Sequence, residues 1–126
     1  MKSLFVPYDM ALKLKEKRFA EDCLGMFIRK KLIISNFEFT PSFKSSKSIV
    51  LAPIYQQVID WFREKHNVVI QVDLFDYGSL KAKSPCFQWR IFNKSDATDK
   101  VLISMQESLN IYDMYNQSVE EALKLI

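Results

Sequence analysis

Few side chains in this 126-residue chain are of a type that does chemistry, and their spacing limits what they could do. His66 is the sole histidine, and Cys23 and Cys86 stand far apart with no partner at two-residue spacing. A zinc site built from Cys and His needs three or four ligands, so that chemistry is nearly excluded. A Cys–His nucleophilic pair would have to use His66, at the end of a charged stretch; a surface histidine and two buried thiols is the simpler reading. Asp73, Asp76 and Asp113 lack the spacing of a calcium loop. The two glycines, Gly25 and Gly78, can write neither a three-glycine dinucleotide fingerprint nor a P-loop. The expectation is a non-enzymatic protein with no metal and no cofactor, its two cysteines free in a reducing compartment.

What remains is charge and aromatic surface. Residues 1–50 hold ten Lys or Arg against five Asp or Glu, whereas residues 51–126 hold eight against ten. Lys13, Lys17, Arg18, Arg29, Lys30 and Lys31 therefore form the candidate partner-binding set, suited to phosphates or an acidic protein surface if the turn at Arg29 to Lys31 packs beside the first helix. A net charge of +3 is too small for a general nucleic-acid binder. Phe37, Phe39 and Phe43 fall in a Ser/Thr-rich stretch, Asn36 to Ser48, read as a loop, and form a second candidate partner-binding set. Phe87 and Trp89, next to Arg90 on an alternating segment, invite comparison with the stacking platforms of RNA-binding sheets, but such aromatics are usually core.

These residues need elements to hold them. At 14.8 kDa, with 48% apolar and 26% charged residues, the chain has the composition of one soluble domain, residues 1–126. Helical spacing predicts a first helix over about 8–18 and a second from near Pro53, with Ile54, Val58, Trp61 and Phe62 on one face. Leu24 to Ile28, Leu32 to Ile34, Val68 to Phe75, Cys86 to Asn93 and Val101 to Met105 read as strands; Val101, Met105, Leu109 and Tyr112 would also suit a helix. Ser118 and Glu121 form a capping box for a short final helix. The expected fold is α+β, order αββαβββα, with helices packed on a mainly antiparallel sheet. With no secretory segment and no apolar run of membrane-spanning length, the expected location is the cytoplasm, without a membrane partner.

Three blocks, ALKLKEKRF at Ala11 to Phe19, APIYQQVIDWFREKHN at Ala52 to Asn67 and SVEEALKLI at Ser118 to Ile126, resemble small proteins carried on prophages and mobile elements of Bacteroidetes. In those proteins the central helix reads APxYQQxxxWFREK, matched here by Ala52, Pro53, Tyr55, Gln56, Gln57, Trp61, Phe62, Arg63, Glu64 and Lys65. The resemblance covers a quarter to a third of the chain and describes a helix start and a packing face, without chemistry. This chain departs from it after the first helix, where Arg18 precedes Phe19 in place of glycine, and in a longer, more basic hairpin turn. The chain is further similar to anti-CRISPR proteins of that bacterial group. That similarity implies a phage inhibitor, working in the host cell on a CRISPR effector such as the type VI-B enzyme Cas13b or on its guide RNA. The alternative is a small phage accessory protein that binds nucleic acid.

Overall fold

The computed structural model describes residues 2–39, 48–75, 86–93, 101–104 and 110–126. The fold is α+β. Helix α1 (Tyr8–Glu16) is followed by strands β1 (Cys23–Ile28), β2 (Lys31–Phe39) and β3 (Ile49–Ala52), helix α2 (Tyr55–His66), strands β4 (Val68–Phe75), β5 (Cys86–Asn93) and β6 (Val101–Ser104), and helix α3 (Ile111–Leu123). The elements keep the expected order, with β3 as one further strand before α2. Its four apolar residues are too few to display a period. The chain divides within α2 into two compact units, Met1–Val58 and Ile59–Ile126. Each has its own three-stranded antiparallel sheet, so the strands form two sheets in place of the one expected.

In the first unit the strand order is β2-β1-β3, with Phe27 paired to Leu32 on one side and to Val50 on the other. Helix α1 buries Met10, Ala11 and Leu14 and packs on β3. The chain before it is tied down by the Val6 N–H, which donates to the Pro53 carbonyl, and by a bridge between Phe5 and Ile54. Gly25 lies under the Phe5 ring: a Cβ there would come within 2.8 Å of Phe5 Cε1 and 3.1 Å of the Ala52 carbonyl. Only glycine lets Phe5 settle on β1. At the start of α2 the Ile54 N–H donates to Gln57 Oε1, and Gln57 Nε2 donates to the Asp22 carbonyl at 2.7 Å. Gln57, part of the APIYQQ block, thus supplies the reach-back half of a capping box and ties the helix start to the entry of β1.

In the second unit the order is β4-β5-β6, and α3 packs on β4 and β5. Trp61, Phe62, Val68, Ile70, Trp89, Ile91, Met114, Val119, Ala122 and Leu123 are buried. Trp61 meets Phe62 edge to face at 5.1 Å and His66 at 4.5 Å. Asn67, in left-handed backbone at φ 55°, terminates α2 in the way glycine or asparagine usually does. The cap of α3 corrects the sequence reading. Asn110 Oδ1, not Ser118, accepts from the first turn, at the N–H of Tyr112. Ser118 is a buried mid-helix residue whose hydroxyl donates to the Tyr115 carbonyl. The apolar pattern runs back through Met114, one turn upstream of Ser118, so the helix begins earlier than its capping-box motif suggested. At the other end Glu121 accepts from Lys124 Nζ at 2.8 Å, and this bond with its charge holds the Lys124 ammonium above its ordinary pKa.

Candidate partner-binding surface

The positive surface is built on a tight turn. Ile28 pairs with Lys31, so Lys31 belongs to β2 and only Arg29 and Lys30 connect the strands, which corrects the expectation of a longer turn through Lys31; Arg29 and Lys30 both have positive φ, 50° and 67°. Positive φ at both central positions is the requirement of a type I′ hairpin turn, whose usual residues are Asn-Gly because side chains with a full Cβ are strained there. This chain places an arginine and a lysine instead. The turn is anchored by the Arg29 N–H, which donates to the Ser48 carbonyl at 3.2 Å.

The same substitution of a cation for a glycine recurs at the end of α1. The Phe19 N–H reaches back to the Leu14 carbonyl at 2.9 Å and the Arg18 N–H to that of Lys15 at 3.1 Å, with Arg18 left-handed at φ 66°. This is a Schellman ending, and Arg18 occupies the position that glycine normally takes. Phe19 and Leu14, the positions at which an apolar pair usually accompanies such an ending, are both buried. Four described non-glycine residues have positive φ, and three of them are the basic residues Arg18, Arg29 and Lys30.

Helix α1 divides the candidate set. Lys30 Nζ sits 5.8 Å from the centre of the Tyr8 ring, which stands edge-on to Phe27 at 5.5 Å. Lys15 Nζ donates to the Ile49 carbonyl at 3.3 Å, and Ile49 pairs with Ile28, next to Arg29 in sequence. Tyr8 and Lys15 thus flank the turn together with Arg29, Lys30 and Lys31. Lys13 lies about 200° around the helix from Lys15, so Lys13, and Lys17 one turn beyond it, are exposed on the opposite flank. Sequence reasoning missed Tyr8 and Lys15; the i, i+7 relation that puts them on one flank was the available signal.

The aromatic candidates separate as well. Phe37 and Phe39 lie in β2, which corrects the reading of Asn36 onward as a loop, and Phe43 lies outside the described residues. The polar residues that suggested a loop belong to an irregular edge: Leu24 alone on β1 stands opposite Ser35 to Glu38 on β2. Such an excess of residues bends a strand outward. Phe37 is 69% exposed there, its ring 5.6 Å from that of the half-buried Phe39. Trp89 is buried with its Nε1–H donating to Gln117 Oε1, so its ring offers no stacking face. Arg90 is held by Asp73 Oδ2 at 2.9 Å and Gln71 Oε1 at 3.2 Å.

No family model, curated protein or solved structure matches the chain. Cys23 is buried, its Sγ donating to the Glu21 carbonyl at 3.3 Å. Among the described residues no cluster of His, Cys, Asp or Glu could hold a metal ion, and no helix is long and apolar enough to cross a membrane.

Proposed function

We propose that the protein acts by stoichiometric binding, as a mobile-element inhibitor of an RNA-guided effector of the Cas13b type, with the basic turn and its flanking residues as the contact surface. The observation that supports this reading is the placement of Arg18, Arg29 and Lys30 in left-handed backbone. Backbone strain of this kind costs about 1 kcal/mol or more per residue and persists where the side chain serves something other than stability. A cation at the tip of a two-residue turn stands clear of the sheet, with Tyr8 and the Lys15 hydrogen bond restricting its base. Such a group loses little freedom on binding and suits phosphate oxygens or carboxylates. The choice of effector follows from the resemblance to anti-CRISPR proteins.

The test is an interference assay with a panel of CRISPR effectors, comparing wild type with a variant carrying Arg18→Glu, Arg29→Glu and Lys31→Glu. These exposed changes alter stability by about 0.5 kcal/mol or less each, so circular dichroism should report an intact fold. Inhibition should fall at least about tenfold. A wild type that blocks no effector ends the inhibitor reading. Salt-sensitive binding to naked RNA or DNA, with no effector complex, would support the accessory nucleic-acid-binding alternative.

A further inference from the structure

The β1–β2 hairpin is charged oppositely at its two ends. Exposed Arg29, Lys30 and Lys31 stand at the turn. Exposed Glu21, Asp22 and Glu38 stand at the open end, where Cys23 pairs with Phe39. Between them β2 exposes two large apolar side chains, Ile33 at 39% and Phe37 at 69%. Phe37 is carried outward by the irregularity opposite Leu24, and the Ser35 hydroxyl oxygen accepts from its N–H at 3.3 Å. Among the described residues β2 is an edge strand, paired on its β1 side alone.

A polyanion laid along this strand would gain at the turn and be repelled at the open end. A protein surface fits if it is acidic at one end, basic at the other and apolar between. The hairpin is itself such a surface when turned through half a revolution. We propose that β2 is a self-association surface on which a second copy of this chain docks antiparallel. Lys31 of each copy comes opposite the irregular stretch of the other that carries Phe37 and Glu38, and the two Ile33 side chains meet between these pairings. The contact is isologous, so each charge pairing occurs twice and the assembly closes at two chains. The docking also covers an exposed apolar edge that would otherwise invite aggregation. It leaves one basic turn near each end of the interface. This docking draws on β2 and its charges alone and is independent of the proposed inhibition.

Sedimentation velocity on the full chain, over a range of micromolar concentrations at about 0.05 M and about 1 M salt, tests it. Wild type should sediment at twice the 14.8 kDa chain mass at low salt and dissociate as salt rises. Lys31→Glu and Glu38→Lys should each weaken the dimer about tenfold or more, and the variant carrying both should return to within about threefold of wild type, because the pairs are re-formed with reversed sign. Phe37→Ser should weaken it without restoring partner. Circular dichroism checks that each variant is folded. A wild type that sediments as one chain at every concentration overturns the proposal. A double variant no tighter than the singles, or a Phe37→Ser dimer as tight as wild type, does so too.

Discussion

At the scale of single residues, the basic side chains at the hairpin turn and at the end of α1 stand where the backbone favours glycine or asparagine. Replacing Arg29 with Asn and Lys30 with Gly should therefore stabilise the protein, by about 1–2 kcal/mol for the pair, since the new residues adopt positive φ with less strain. A chemical-denaturation midpoint that rises with unchanged slope is the expected result; a midpoint that falls would show that the two side chains stabilise the turn by contacts stronger than the strain they bring. The type of residue at these positions was legible in the sequence, as was the turn itself. The backbone state was not: arginine and lysine are poor signals of left-handed geometry. Only the two-residue connection between Ile28 and Lys31 forces them into it.

At the scale of elements, α2 was the most legible, because Val58, Trp61 and Phe62 fall on a single helical face and all three are buried. Trp61 is 4% exposed and stacks edge-on with Phe62 and His66. Trp61→Ala should cost about 3–5 kcal/mol, read as a lowered melting temperature; a melt indistinguishable from wild type would contradict this packing. Helix α3 was legible in its last turns and misread at its start. Asn110→Ala should cost about 1 kcal/mol by removing the bond to the Tyr112 N–H, whereas Ser118→Ala should cost less, its hydroxyl being engaged with a helix carbonyl that already has a backbone donor. Equal losses in urea denaturation, or a larger one at Ser118, would restore Ser118 as the cap. β3 and the far half of β2 escaped sequence reading for opposite reasons. The first is too short for periodicity, and the second is an irregular edge whose Ser, Asn and Glu mimic a loop.

At the scale of the whole chain, the excess of positive charge in residues 1–50 pointed to the end of α1 and the β1–β2 turn, but not to how the cations divide between them. Charge counting treats Lys13, Lys15 and Lys17 alike; helix geometry puts Lys15 beside the turn, at the Ile49 carbonyl, and the other two on the opposite flank. It also overlooks Tyr8, whose ring lies under Lys30. Nor did the overall balance reveal that one hairpin carries opposite charges at its two ends, because that follows from the pairing of Cys23 with Phe39 and of Ile28 with Lys31. The proposed inhibition requires that the cations at the turn be kept for a partner, at a cost in stability. The direct measurement is the equilibrium affinity of the Arg29→Asn, Lys30→Gly variant for a guide-loaded effector that wild type inhibits. A variant that binds at least about tenfold more weakly, although its fold is the more stable of the two, is the predicted result. Affinity equal to that of wild type would show that the basic turn is only a solvated end of the hairpin.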